Sequence, residues 1–165
     1  MQKLVLLMIA LGTGIGFLLP TNDRAAEITT TSARAAPAAA RASAPAPQET
    51  VLKRSEGGHF YANVEVNGQL VRFLVDTGAT GVALAEKDAA RIGIPFSRAE
   101  FEVVGMGASG PVQGKRLTLD SVRLDGKEAR GVRGVILGGG DVSLLGQAYL
   151  GQYSVEMRGD RMRIY

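Results

Sequence analysis

The sequence contains no cysteine, no tryptophan and only one histidine, His59, in 165 residues. Zinc-type metal sites need clusters of cysteine and histidine ligands, so the sequence predicts no metal ion and no cofactor. It also lacks a Gly-x-Ser-x-Gly motif of the kind that presents a nucleophilic serine. These absences exclude hydrolases that act through a thiol or through such a serine. The lack of cysteine is compatible with an oxidising compartment outside the cytoplasm.

Net charge is absent from most of the chain. The formal charge is +3, but from Glu56 to the C-terminus 13 Lys and Arg residues balance 13 Asp and Glu residues. A neutral region with few aromatic residues gives no electrostatic footprint for nucleic acid, so no nucleic-acid partner is expected. One stretch is locally basic, with Arg123, Lys127, Arg130 and Arg133. We expect it to be a solvated strand face that could favour acidic substrates.

The N-terminus carries the longest apolar run. Residues 4–19 are apolar apart from one threonine, and Lys3 precedes them. The run is long for a signal-peptide core and slightly short for a membrane span, and no well-placed pair of small residues marks a cleavage site. An uncleaved anchor over residues 1–19 is therefore favoured over a cleaved signal. With Lys3 in the cytoplasm, we expect a single-pass protein of the inner membrane whose remaining residues lie in the periplasm or extracytoplasmic space.

The next segment, residues 20–56, is rich in alanine, threonine, proline and arginine and has almost no aliphatic periodicity. Such a composition buries too little apolar surface to offset the entropy of ordering the chain. We therefore predict a disordered tether over residues 20–56 and one folded domain over residues 57–165. About 110 residues are enough for a single hydrophobic core.

The predicted domain shows the period-2 alternation of β-strands. Strands are predicted over residues 60–66, 70–75, 82–84, 101–106, 112–119, 121–124, 129–137, 153–157 and 162–164. Asn67-Gly68 and Asp125-Gly126 are strong hairpin signals. Short helices are predicted over residues 85–91 and 147–150. Many short strands with closely spaced turns predict an all-β barrel or sandwich with one or two short helices.

One short motif is the candidate for catalysis. The apolar run of residues 70–75 leads directly into Asp76, Thr77 and Gly78. This pattern places a carboxylate at the end of a buried strand, on a tight turn, where it suits general acid/base catalysis. Out of context, an aspartate before Thr-Gly is more often a simple turn residue than a catalyst. Whether Asp76 is catalytic or only a turn residue must therefore be judged from the surrounding sequence.

Two further features follow Asp76 in a specific order. A glycine-rich turn at Gly107 and Gly110 separates two predicted strands, and a second apolar run ends in Leu144, Leu145 and Gly146 before a short helix. In this order and spacing the chain resembles the single-lobed, retropepsin-like aspartic proteases, in a bacterial form that is membrane-anchored or exported. The resemblance covers roughly residues 57–165.

The resemblance implies an aspartic endopeptidase and a retropepsin-like barrel. Because the chain has a single Asp-Thr-Gly motif, it implies a homodimer in which Asp76 of each subunit faces the other. Two close carboxylates share one proton, and the ionised one activates a water that attacks the peptide bond of a protein or peptide substrate. The alternative is a non-catalytic module of the same fold that binds extended peptide segments. The intact Asp76-Thr77-Gly78 motif favours the protease.

The resemblance also assigns supporting roles. The residues expected to support Asp76 are Thr77, Gly78, Ala79, Thr80, Leu144, Leu145 and Gly146. The residues expected to form a flap that binds substrate are Met106, Gly107, Ala108, Ser109 and Gly110. Thr77 is expected to hydrogen-bond across the dimer axis. Gln147 departs from the charged residue that retroviral members carry at this point, so helix docking is expected to differ there.

Overall fold

The computed structural model describes residues 46–107 and 110–165. The strands are β1 (Thr50–Lys53), β2 (Tyr61–Val66), β3 (Gln69–Val75), β4 (Val82–Ala85), β5 (Glu102–Gly107), β6 (Gly110–Leu124), β7 (Lys127–Leu137), β8 (Ser143–Leu145), β9 (Val155–Arg158) and β10 (Arg161–Ile164). The helices are α1 (Glu86–Arg91) and α2 (Gln147–Leu150), and a 3₁₀ turn spans Arg98–Glu100. The predicted all-β class with short helices is confirmed.

Two hairpins form where the turn residues predict them. Asn67 and Gly68 have φ values of 50° and 81°, and they join β2 to β3 in antiparallel register. Asp125 and Gly126 have φ values of 47° and 78° between β6 and β7. Positive φ at both central residues gives a turn whose twist matches that of the flanking strands. The local sequence therefore sets both registers.

Six strands close into a barrel. Their order is β2-β3-β8-β4-β7-β6, and β2 pairs again with β6 at Glu65–Arg123 and Val66–Val122. Closure leaves these six strands without a free sheet edge. β5 extends the sheet from β6 as the outer strand of a hairpin, while β1, β10 and β9 form a separate three-stranded sheet. The retropepsin-like barrel predicted from the sequence is confirmed.

The barrel interior follows the alternation of the strands. In β2 the side chains of Ala62, Val64 and Val66 are buried, while Asn63 is exposed. β3 shows the same alternation, and β7 shows it on either side of Gly131, so both strands contribute apolar side chains to a common core. The largest fully buried apolar side chains of this core include Tyr149, Phe73, Leu84, Leu119, Ile136, Leu145 and Leu150. Burial of apolar side chains is the main stabilising contribution to such a fold.

The fold begins earlier than the sequence suggested. Residues 50–53, assigned to the tether, form β1, which pairs with β10 in antiparallel register from Thr50–Ile164 to Lys53–Arg161. Just upstream, the Gln48 backbone N–H donates to the Asp125 carbonyl at 2.9 Å. The tether boundary at residue 56 is therefore wrong, because sheet pairing to the C-terminal hairpin orders a segment that lacks strong periodicity of its own. The predicted anchor and the rest of the tether, residues 1–45, lie outside the described residues.

The basic stretch is not one solvated face. Arg123 pairs with Glu65, and Arg130 pairs with Glu128. Lys127 is 2% exposed, and its ammonium donates to the carbonyl of Gln48, which lies just before β1. Burial lowers the pKa of Lys127. Only part of the stretch is therefore free to meet a ligand.

Within the part of the chain that the structure describes, no helix has the length and apolarity needed to cross a membrane.

Candidate active site

Asp76 follows the last residue of β3, and hydrogen bonds of its backbone N–H and carbonyl hold it in place. Its N–H donates to the Leu145 carbonyl at 3.0 Å, and its carbonyl accepts from the Ala79 N–H at 3.2 Å. Its side-chain Oδ1 accepts from the Gly78 N–H at 2.9 Å. The carboxylate is partly buried, and Thr77 and Gly78 beside it are exposed. A carboxylate fixed in this way keeps an open side toward solvent and is available for proton transfer.

β8 fixes the base of the Asp76 loop. It lies between β3 and β4, with parallel pairing from Phe73–Ser143 to Val75–Leu145 and a contact of Leu144 with Ala83. Leu145 is 0% exposed and belongs to the barrel core. The second apolar run of the sequence therefore supports the loop from below, as the resemblance implies.

Gly146 is required by close approach of the backbone. A Cβ atom at this position would lie 2.5 Å from the Ala79 carbonyl oxygen and closer still to the Gly81 carbonyl oxygen. Real Cβ atoms do not approach backbone oxygens so closely, so only glycine fits here. The absence of a side chain at Gly146 allows β8 to pack directly against the Asp76 loop.

The start of α2 binds the other side of the loop. The Gln147 N–H donates to the Ala79 carbonyl at 2.8 Å, and the Ala148 N–H donates to the Thr80 carbonyl at 2.9 Å. The Gln147 side chain adds a bond from Nε2 to the Thr77 carbonyl at 2.8 Å. The departure noted at Gln147 is thus explained, because a neutral amide donor docks the helix onto the loop.

A hydrogen-bonded pair, the buried Ser143 and the half-buried Asp88, connects β8 to α1. The Ser143 hydroxyl is fully buried, donates to Asp88 Oδ2 at 2.7 Å and accepts from the Ala85 N–H at 3.0 Å. These bonds connect β8 to α1 and to the end of β4. Sequence reasoning missed Ser143 and Asp88, although a serine inside an apolar strand is itself a signal that a buried partner exists.

β5 and the start of β6 form the flap hairpin. Their antiparallel register runs from Glu102–Gly114 to Gly107–Gly110, with an irregularity between Val103 and Gly105. Met106 is 57% exposed. The predicted tip residues Ala108 and Ser109 lie outside the described residues. The hairpin is where the sequence predicts it.

A cleft of about 530 Å³ lies between the flap hairpin and the Asp76 loop. Its described lining is mostly apolar: Ala79, Thr80, Gly81, Ala83, Val104, Gly105, Val112, Arg116, Leu117, Thr118, Arg133, Gly134, Val135, Leu137 and Leu144. Asp76 is not one of these residues; the cleft adjoins its loop through Ala79, Thr80 and Gly81. The volume lies within the ~300–1,000 Å³ typical of ligand sites.

The structure brings most predicted site residues together. Ala79, Thr80 and Leu144 line the cleft, while Leu145 and Gly146 lie beneath the Asp76 loop. Arg116 and Leu117 of the cleft had no motif to indicate them. Across the described residues, no group of three or more His, Cys, Asp or Glu side chains is arranged to hold a metal ion.

Comparisons with known proteins agree with this architecture. Residues 62–152 match the family model described as gag-polyprotein putative aspartyl protease. The chain is similar to a solved retropepsin-like aspartic protease from Rickettsia conorii, with 31% identity and a TM-score of 0.60, covering 71% of this chain and 90% of that one.

Two curated relatives are uncharacterised. One, from Rickettsia prowazekii, is 35% identical over 106 residues, covering 64% of this chain and 46% of the relative. The other, from Sinorhizobium and encoded in the cobV 5′ region, is 33% identical over 120 residues, covering 71% of this chain and 52% of the relative. The chain thus spans about half the length of each. The barrel, the Asp76 loop and these matches together show that the chain belongs to the retropepsin-like family of aspartic proteases.

Proposed function

We propose that this protein is an aspartic endopeptidase whose site forms from two copies of the chain. The observation that carries the proposal is the Asp76 loop, which adjoins an apolar cleft and is fixed by hydrogen bonds from Gly78 and Gln147 and by the Asp76 N–H donating to the Leu145 carbonyl. A partly exposed carboxylate on a rigid loop beside such a cleft can meet a peptide bound in the cleft. This arrangement supports a peptide substrate and hydrolysis of its peptide bond.

The reaction needs two carboxylates, and the chain has one Asp-Thr-Gly motif. In the proposed homodimer, Asp76 and the partner's Asp76 lie across the two-fold axis and share one proton. The ionised carboxylate takes a proton from water as the water oxygen attacks the scissile carbonyl carbon. The protonated carboxylate donates to the carbonyl oxygen, and proton transfer to the amide nitrogen then lets the C–N bond break.

The residues around Asp76 suit this assembly. Thr77 is exposed and its carbonyl is held by Gln147, so its hydroxyl can reach across the proposed axis. The exposed apolar side chains of the flap hairpin, Val103 and Met106, are available to cover an extended substrate. Flap backbone groups would add hydrogen bonds to the substrate in the manner of strand addition.

The proposal includes a location. The apolar residues 4–19 and Lys3 support a single-pass anchor with the protease domain in the periplasm or extracytoplasmic space. Fractionation of cells expressing the full chain tests this, followed by addition of external protease to intact spheroplasts. Recovery in the membrane fraction and digestion of the domain are expected. A soluble chain, or one protected from digestion, contradicts the location.

The function is tested with the full chain and its Asp76→Asn variant. Both are incubated with a mixed peptide library, and the products are read by mass spectrometry across pH. Cleavage by the parent chain alone is expected. Analytical ultracentrifugation of the same samples reports the dimer. Binding of peptides without cleavage, by a folded dimer, would instead support the peptide-binding module.

A further inference from the structure

Two arginines are the only charged residues among the described lining of the cleft. Arg116 and Arg133 lie on neighbouring strands, β6 and β7, while the rest of the lining is neutral and mostly apolar. Arg116 is cross-strand partner to Val135, and Arg133 is partner to Thr118. Because directly paired residues share a sheet face, both arginines lie on the face that lines the cleft.

The two arginines differ in their partners. The Arg116 guanidinium donates to Glu102 Oε1 at 3.2 Å and to the Val104 carbonyl at 3.1 Å. For Arg133, no acidic side chain lies within salt-bridge distance anywhere in the described ranges, 46–107 and 110–165. Arg133 is also exposed. The cleft therefore has one guanidinium whose charge the protein itself does not neutralise.

Arg133 lies close to the loop that carries Asp76. Its carbonyl oxygen is 3.6 Å from the position that a Gly81 Cβ would take, and Gly81 is in the segment between Asp76 and β4. Val132 beside it in β7 is buried on the opposite face, whereas Gly134, which has no side chain, also lines the cleft. A peptide lying in the cleft would therefore pass the Arg133 side chain.

The geometry points to Arg133 as a specificity-determining residue that selects peptides with an acidic side chain beside the apolar residue that fills the cleft. This inference rests on the proposed function, since it names the substrate class of the same site. Guanidinium binds carboxylate through paired, charge-assisted hydrogen bonds. Arg133 is exposed, so the preference is modest and depends on ionic strength. In a symmetric dimer, each half of the cleft contributes one Arg133.

The test uses the full chain and one parent peptide that it cleaves, with blocked termini so that only side chains carry charge. Each position outside the scissile pair is replaced in turn by Glu, Gln or Lys, and kcat/KM is measured. At one position or more, Glu is expected to exceed Gln by about threefold at low salt, the size expected of an ion pair with an exposed arginine. The ratio should fall as salt is added.

Variants assign the preference to its residue. Arg133→Glu is expected to reverse the order, so that Lys exceeds Glu at the same position, while Arg133→Lys keeps part of the Glu preference. Arg130→Glu is the matched control, because Arg130 is on the same strand, exposed and outside the cleft. It should leave the profile unchanged. A Glu to Gln ratio near one in the parent, or a preference that survives Arg133→Glu, overturns the inference.

Binding separates this inference from the proposed function. Fluorescence anisotropy measures the Kd of labelled Glu and Gln peptides for Asp76→Asn and for Asp76→Asn combined with Arg133→Glu. Tighter binding of the Glu peptide that disappears in the double variant supports the inference even if the parent cleaves nothing. Cleavage without any acidic preference refutes the inference and leaves the protease standing. Absence of both binding and cleavage refutes both.

Discussion

The Asp76 loop has little conformational freedom. The backbone N–H groups of Ala79, Gln147 and Ala148 donate hydrogen bonds to its carbonyl groups, and Gly146 beneath it has no room for a Cβ atom. In the flap hairpin across the cleft, Val103 and Met106 are 53% and 57% exposed. Both regions face the same cleft. One is fixed by buried contacts, whereas the other presents apolar side chains to solvent. The difference matches two tasks, holding a carboxylate in place and covering a substrate.

The comparison also separates stability from function. The residues that support the loop from beneath, Leu145 and Gly146, belong to or pack directly on the barrel core, so changing them should affect folding and activity together. Flap residues contact solvent, so changing them should affect peptide binding with little effect on folding.

The largest expected effect is that of Gly146→Ala. The added Cβ would press on the Ala79 and Gly81 carbonyl oxygens, so the loop must shift. We expect a loss of about 3 kcal/mol in the free energy of unfolding, as for an overpacked core position, and loss of detectable cleavage. Urea denaturation and peptide cleavage assays measure the two effects. Gly57→Ala is the control, since its nearest neighbour would be 3.6 Å away; equal stability of the two variants would contradict the close-packed loop.

A pair of apolar truncations tests the comparison directly. Leu145→Ala empties a fully buried site under the loop and should cost about 3 kcal/mol in the free energy of unfolding. Met106→Ala removes an exposed flap side chain and should change that free energy by less than about 0.5 kcal/mol while weakening peptide binding. Urea denaturation and anisotropy give the two readouts. Similar destabilisation by both variants would break the distinction between the regions.

Alkaline pH provides a test of the helix that docks on the loop. Tyr149 is 0% exposed and its hydroxyl donates to the Lys127 carbonyl at 2.8 Å. Burial raises the pKa of Tyr149 well above its ordinary value of 10.0. The folded state thus keeps a proton that the unfolded chain releases, so stability is full below pH 10 and falls above it.

Tyr149→Phe should make that fall shallower while costing about 1 kcal/mol at neutral pH for the lost hydrogen bond. The free energy of unfolding, measured from pH 8 to 11, checks this. Burial also raises the pKa of Tyr153, so a smaller slope is expected to remain. An unchanged slope in Tyr149→Phe would show that Tyr149 does not carry the alkaline effect.

A modest effect is expected of Gln147→Ala. Loss of the bond to the Thr77 carbonyl should cost about 1 kcal/mol in stability and lower kcat/KM severalfold, because Thr77 adjoins Asp76. Gln152→Ala is the matched control, since within the described residues the Gln152 side chain bonds only to the Ala148 carbonyl. A drop in kcat/KM for Gln152→Ala as large as that for Gln147→Ala would remove the assigned role of Gln147.

The sequence predicted those parts of the fold that local chemistry determines. Alternation in β2, the Asn67-Gly68 turn and the apolar run before Asp76 each have a local physical cause, and the structure follows them. The relation of Asp76 to Gly146 came from the resemblance to the family, since β3 and β8 pair in parallel across about 70 residues and no local pattern connects them.

Long-range contacts were beyond the reach of local patterns. The residues of β1 have no strong apolar periodicity, so the sequence predicts a tether there. Pairing with β10 orders them as a strand. Lys127 looks like a solvated lysine in the sequence, but in the structure its ammonium is covered by the backbone at Gln48. Arg133 and Arg130 look alike in the sequence, but of the two only Arg133 lines the cleft.

Cleavage of a peptide library by the full chain and by Asp76→Asn tests the central claim most directly. The account predicts cleavage by the parent, at acid pH more than at alkaline pH, and a loss of at least about 10³-fold in Asp76→Asn, as expected when an acid/base group is removed. Both proteins should remain folded and bind peptide. Equal cleavage by the two proteins, or none by a parent shown to be a folded dimer, would contradict it.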